Sequence, residues 1–306
     1  TGSIGAIAVA PSDPNIIYVG TGAGIIRPDL SIGDGMYKST DAGKTWTHLG
    51  LRDSQMIANI EVDPTNPNRL FVAVLGHPYG PNAERGIFRS TDGGKTFEKV
   101  LYKDEYVSGN DVRIDPKNPN IVYAALWQQQ QSYIEGAEFG GTEGGIFKST
   151  DGGTTWKQLT NGLPAGVIEA NLGVSMSAPS TIYAMVAGTS GSATPARGGT
   201  TGTIGFYKST DAGEHWTLAA RDANNPGASS NAVLDPRPLV RIGGGDLPTI
   251  AVDPKNPNVV YSASTVFWRT EDGGVTWSAV RGAPGGDDYQ KAWVNPNDTN
   301  ILLIVA

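Results

Sequence analysis

Ten residues in long, irregular segments of the chain have side chains that can do chemistry. Asp34, Glu84 and Asp246 are candidate carboxylates, and a pair of them at a defined separation can act as acid and base on a glycosidic bond. Arg27, Asp34, Glu84 and Arg85 together make a candidate charged site; solvated loops or ion pairs between neighbouring units are the competing reading. Trp127 with Tyr133 can stack on a sugar ring or a peptide side chain, or can cap the unit they belong to. His77 and Tyr79 share a segment with Glu84 and Arg85, and Arg241 shares another with Asp246. The expectation for all ten is ligand binding. No catalytic set is recognisable. The three histidines, His48, His77 and His215, lie far apart in sequence, so no metal-ligand spacing exists. No glycine-rich phosphate loop opens a helix and no nucleophile elbow occurs, so neither a metal nor a cofactor is expected.

The elements that must position these residues come from a repeat. One eight-residue pattern occurs five times: Ser39-Thr-Asp-Ala-Gly-Lys-Thr-Trp46, Ser90 to Phe97, Ser149 to Trp156, Ser209 to Trp216 and Thr270 to Trp277. Its aspartates, Asp41, Asp92, Asp151, Asp211 and Asp272, can accept amide bonds inside their own turns. Gly43, Gly94, Gly153, Gly213 and Gly274 can take the positive φ of a tight turn, and the closing aromatic can cover it. A second pattern alternates with the first: an apolar run, a turn such as Asp63-Pro-Thr-Asn-Pro-Asn68, then another apolar run. Each repeat therefore reads as four antiparallel strands, and such a unit buries both faces only by stacking on its copies.

The expected fold is all-β: a propeller of four-stranded antiparallel blades with Asp-box turns. The whole of 1–306 is one propeller domain or a segment of one. Blades fall at about 3–50, 56–102, 108–160, 169–220 and 247–281, with a partial sixth at 289–306. Half a blade leaves an exposed edge. The expectation is a larger propeller, completed by further blades of the same longer chain or of a partner. Alternate turns of an up-and-down blade lie at opposite ends, so both kinds of tight turn share one face and the irregular segments share the other. Variable loops on a rigid scaffold are where binding usually sits.

Composition removes several function classes. The formal net charge is -7, and without a basic cluster there is no nucleic-acid footprint. No apolar run reaches membrane-spanning length. The chain has 0 cysteines, which excludes disulfides and thiolate metal sites.

The five boxes resemble those of sialidases, oligoxyloglucan-acting hydrolases, sortilin-type receptors and photosystem assembly propellers. The stretches Gly33-Asp-Gly-Met-Tyr-Lys-Ser-Thr-Asp41 and Gly76-His-Pro-Tyr-Gly-Pro-Asn-Ala-Glu-Arg-Gly-Ile-Phe-Arg-Ser90 look most like bacterial sortilin-like BNR-repeat proteins, often labelled glycosyl hydrolases. That resemblance implies an exported or secreted propeller, longer than this chain, that binds a protein, peptide or glycan. Sialidases would add a Phe-Arg-Ile-Pro stretch, which is absent. Xyloglucan hydrolases use two aspartates across a cleft between two propellers, and Asp34 lies in a comparable early region. The leading expectation is a non-catalytic binding propeller; a glycoside hydrolase and a structural subunit of an extracellular assembly are the alternatives.

Overall fold

The computed structural model describes residues 2–24, 30–77, 79–129, 141–188, 203–221, 237–239 and 247–306. They form five four-stranded antiparallel sheets and one two-stranded sheet, each with its strands in chain order. Blade 1 holds β1 (Ile4–Val9), β2 (Ile17–Thr21), β3 (Met36–Ser39) and β4 (Thr47–Gly50). Blade 2 holds β5 (Ile57–Val62), β6 (Leu70–Val74), β7 (Gly86–Ser90) and β8 (Glu98–Leu101). Blade 3 holds β9 (Val107–Ile114), β10 (Val122–Gln128), β11 (Gly145–Ser149) and β12 (Lys157–Leu159). Blade 4 holds β13 (Val167–Val174), β14 (Ile182–Gly188), β15 (Thr203–Ser209) and β16 (Thr217–Arg221). Blade 5 holds β17 (Thr249–Val252), β18 (Val260–Ala263), β19 (Phe267–Thr270) and β20 (Ser278–Arg281). The two-stranded sheet is β21 (Lys291–Val294) with β22 (Leu302–Val305). The all-β propeller read from the repeat is the observed architecture.

The second strand of a blade is covered on both faces, which is why it reads as an uninterrupted apolar run. Every residue of β6 and β14 is buried. The cores lie between blades. Phe71 and Tyr183, both second-strand residues, belong to one cluster that also takes in Leu126, Phe206 and Trp277. Burying a side chain of this size stabilises the fold by roughly 1.5–3 kcal/mol. Lys291 fixes the two-stranded sheet against the start of the ring, because its ammonium donates to Gly5 O at 2.8 Å and Ala58 O at 2.7 Å.

Each Asp turn is closed by bonds within eight residues. The Asp92 carboxylate accepts the Thr96 amide at 3.0 Å, the Thr96 hydroxyl at 2.8 Å and the Ser90 hydroxyl at 2.9 Å. Ser90 Oγ in turn accepts the Gly94 amide at 2.8 Å. Gly94 has φ of 87°, so a side chain there is disfavoured. In blade 4 the imidazole of His215 replaces the threonine hydroxyl, with Nδ1 2.6 Å from Asp211 Oδ2.

These bonds favour the ionised aspartate. The Thr45 hydroxyl and amide hold Asp41 down to about 2. The Thr96 amide and hydroxyl do the same for Asp92, and the His215 amide and ring for Asp211. Asp151 is lowered further by the Thr155 hydroxyl and amide. A folded-state pKa below the unfolded one adds stability that is present above about pH 4 and is lost as pH falls toward 2. The melting temperature is therefore expected to drop across that window, and D92N to shrink the drop while lowering the melting temperature at neutral pH. Calorimetry in buffers spanning the window reads both effects; equal drops in the two proteins would refute the assignment.

Candidate functional site

The variable-loop face carries a carboxylate cluster where blades 1 and 2 meet. Three segments build it: the β2–β3 connection, the link between blades 1 and 2, and the β6–β7 connection. The link begins with a short 3-10 turn, Arg52–Ser54, flanked by Leu51 and Gln55 at positive φ of 55° and 56°. That pair of left-handed residues turns Arg52 and Asp53 toward the loops on either side.

Asp34 is held from the blade 1 side. Its amide donates to Thr21 Oγ1 at 2.9 Å, and its carbonyl lies 2.7 Å from His48 Nε2. Its carboxylate accepts the Tyr37 hydroxyl, 3.0 and 2.9 Å from the two oxygens, and lies 3.6 Å from the Arg52 guanidinium. The bond to Asp34 raises the Tyr37 phenol above its ordinary value. The Asp34 side chain remains 37% exposed, so an incoming group can reach it.

Asp53 and Glu84 form the other half. Asp53 Oδ1 is 2.9 Å from His77 Nε2, and Asp53 Oδ2 accepts the Asn82 amide at 3.1 Å. Burial raises the Glu84 carboxyl above the ordinary glutamate value, and the charge of Asp53 adds to the shift; the Ser54 amide, Lys99 and His77 oppose it. Glu84 Oε2 is buried without a hydrogen-bond partner. A carboxyl raised by burial and by a neighbouring carboxylate is the arrangement that can separate an acid from a base. Among the described residues no group of three or more His, Asp or Glu side chains could hold a metal ion.

The structure brings Asp34, His77 and Glu84 to one region, with Tyr79 half-buried in the same loop. It sends two other expected binders inward. Arg85 is fully buried, and its guanidinium donates to Tyr106 O, Gln129 O, His77 O, Gly80 O and Ser108 Oγ at 2.7–3.1 Å. Trp127, at 1% exposure in β10, is part of the inter-blade core and presents no face to a sugar or a peptide. Arg27, Tyr133, Arg241 and Asp246 lie outside the described residues. Arg52, Asp53, Tyr37 and His48 are additions that the sequence reading did not single out. The short blade-to-blade link is the signal that could have found the first two, since it must emerge on the variable-loop face.

A second charged cluster lines the innermost strands. Glu61 pairs with Arg113 at 3.1 Å, and Arg113 also meets Asp111 at 3.2 Å. Burial pushes Glu61 up to about 7, against the pull of Arg113 and with the help of Asp111.

A family model described as Sortilin-Vps10 (sortilin, neurotensin receptor 3) matches residues 34–185, just under half of the chain. Curated relatives match further. A xyloglucanase of Acetivibrio thermocellus is 24% identical over 90% of this chain and 32% of its own length. A Paenibacillus xyloglucanase is 27% identical over 90% of this chain and 26% of its own. The chain thus spans about a third or less of the curated relatives it matches. Among solved structures, an ancestral GH74 enzyme superposes with a TM-score of 0.64 at 21% identity, covering 97% of this chain and 34% of that one. These matches correct two expectations. The resemblance is to GH74 xyloglucanases rather than to sortilin-like BNR-repeat proteins, and the leaning away from an enzyme is overturned with it. Among the described residues no helix is long and apolar enough to cross a membrane.

Proposed function

We propose that this chain contributes the acid–base carboxylates of a glycoside hydrolase acting on xyloglucan or a similar polysaccharide. The carrying observation is Glu84: a carboxyl raised by burial and by Asp53, on the variable-loop face, with the exposed carboxylate of Asp34 joined to the same blade 1 to blade 2 link through Arg52. In this reading Glu84 donates its proton to the glycosidic oxygen as that bond breaks. Asp34, bonded by the Tyr37 hydroxyl and 3.6 Å from Arg52, serves as the second carboxylate, taking a proton from the water that bonds to the sugar carbon as its leaving group departs. Arg52 is a positioning residue against Asp34, and His77 is one against Asp53, the neighbour of Glu84. A polysaccharide is too large to enter a cell, so the reading implies action outside the cytoplasm.

The similarity to enzymes named xyloglucanases over 90% of the chain supports the substrate class. The test is reducing-sugar release from tamarind-type xyloglucan by the purified protein and by its E84Q and D34N variants. Release that both substitutions abolish is the expected result. No release, or release that both substitutions leave intact, would sink the reading.

A further inference from the structure

Blades 1 to 4 repeat one cross-strand pair next to their Asp turns. The basic residue before the turn's serine is Lys38, Arg89, Lys148 or Lys208. It lies opposite the residue after the turn's aromatic, which is Thr47, Glu98, Lys157 or Thr217. The sixth residue of the next blade's turn reaches the same place: Thr154 approaches Arg89 at 3.3 Å and Glu214 approaches Lys148 at 2.9 Å. Two junctions satisfy the basic residue with a carboxylate from these positions. Between blades 2 and 3, Arg89 meets Glu98 at 2.7 Å. Between blades 3 and 4, Glu214 bridges two ammonium groups, 2.9 Å from Lys148 and 2.9 Å from Lys157.

Between blades 1 and 2 the same positions hold Thr47 and Lys95, so two cations stand where the next two junctions have a cation and an acid. The Lys38 ammonium reaches neutral oxygens, Gly93 O at 3.3 Å and Asn68 Oδ1 at 3.4 Å, and among the described residues no carboxylate pairs with Lys38 or Lys95. Asp92 is nearby, but both of its oxygens are held by Ser90 and Thr96 of its own turn. Burial lowers the Lys38 ammonium, and there the repulsion of Lys95 outweighs the attraction of Asp92. These two cations border a groove of about 470 Å³, floored by Leu49 and lined also by Thr40, Thr47 and Thr91. Ligand clefts run roughly 300–1,000 Å³. Among the described residues the hydroxyls of those three threonines make no hydrogen bond. The groove lies at the far end of β3 and β7 from Asp34 and Glu84.

We propose that this groove binds a uronic acid unit of an acidic polysaccharide, with the carboxylate seated between Lys38 and Lys95 and the ring hydroxyls against Thr40, Thr47 and Thr91. Glu98 and Glu214 show within the same molecule which group this place accepts: a carboxylate that answers a partly desolvated cation. The three free hydroxyls beside the cations select a sugar, which presents several hydroxyls next to its carboxylate. At the junction of blades 4 and 5 the positions hold Thr217 and Val275, so Lys208 has no second cation beside it and the pairing is particular to the first junction. The inference is independent of the hydrolase reading. It places an anchoring site for an acidic chain on the Asp-turn face, away from the candidate carboxylates.

The experiment is calorimetric titration of the purified protein with tri-galacturonate, with its methyl ester as the uncharged control and tri-glutamate as the peptide control. Two variants fill the place from within: T47E copies Glu98, and K95E copies Glu214. Each puts at this junction a residue that the fold already carries at an equivalent one, and an unchanged melting temperature checks that it is tolerated. Tri-galacturonate is expected to bind about tenfold or more tighter than either control, and each variant to weaken it by about tenfold or more. Equal affinity for the acid and its ester would overturn the proposal, as would variants that bind like the wild type. Absence of binding up to about 10 mM would overturn it too. Tri-glutamate binding as tightly as tri-galacturonate would remove the sugar and make the groove a site for acidic peptides.

Discussion

Arg85→Ala is expected to lower the stability of the protein by about 3–4 kcal/mol. The guanidinium is fully buried, and among the described residues no carboxylate forms an ion pair with it. Its charge is solvated instead by four main-chain carbonyls and one hydroxyl, contributed by the β6–β7 loop, the blade 2 to blade 3 link, β9 and the end of β10. Burial pulls the group down to about 10, which leaves it protonated at neutral pH. Truncation removes every one of these donors at once and takes from the buried Gln129 carbonyl its charged partner. Lysine should rescue little, because an ammonium is a point donor and cannot present a planar fork to oxygens on both sides. Urea unfolding of wild type, R85A and R85K measures this. A loss under about 1 kcal/mol in R85A would mean that water takes over the orphaned carbonyls. Because His77 and Gly80 are among the acceptors, R85A is also expected to loosen the loop that carries Glu84, so stability and activity should fall together.

The propeller was legible in the sequence because its signals are local. Every bond that closes an Asp turn lies within the eight-residue motif, so Ser90, Asp92, Gly94 and Thr96 announce the turn wherever they occur together. The site was legible only in part, because its parts meet through the stacking of blades. Asp34 and Glu84 stand out as loop carboxylates; Asp53, which sets the field at Glu84, sits in a link that reads only as a connector. Arg85 shows the opposite failure. A charged residue in a loop reads as solvent-facing, and nothing local shows that four backbone oxygens converge on it from outside its own blade strands. Trp127 with Tyr133 reads as a stacking platform, yet Trp127 lies within β10 opposite Ser108, in a second strand that is covered on both faces. The family likeness failed for a related reason. The Asp turns build the scaffold, and proteins with different activities share the scaffold, so residues that specify the fold say little about the reaction.

The pH profile of hydrolysis should carry the signature of Glu84, and Asp53 should tune it. A general acid works while protonated, so activity is expected to fall on the alkaline side as Glu84 loses its proton. Burial and the Asp53 charge both raise that carboxyl, placing the alkaline limb above the ordinary glutamate value of about 4.3. D53N removes the negative charge while keeping a side chain that His77 Nε2 and Asn82 can still bond. The protonated form of Glu84 then loses one of its two supports, and the alkaline limb should move toward lower pH. H77A acts in the other direction, since His77 lowers the Glu84 value and its removal leaves Asp53 less neutralised. E84Q cannot donate a proton at any pH, so it should reduce turnover about 100-fold or more and remove the alkaline limb altogether. D34N is expected to give a comparable loss, with the alkaline limb left where it was, because the acid is untouched. Rates of reducing-sugar release from xyloglucan between about pH 4 and pH 9, at saturating substrate, separate these cases. A limb that D53N and H77A leave in place would take the acid role from Glu84. Opposite displacements by the two substitutions would assign it there, because only the field at that carboxyl distinguishes them.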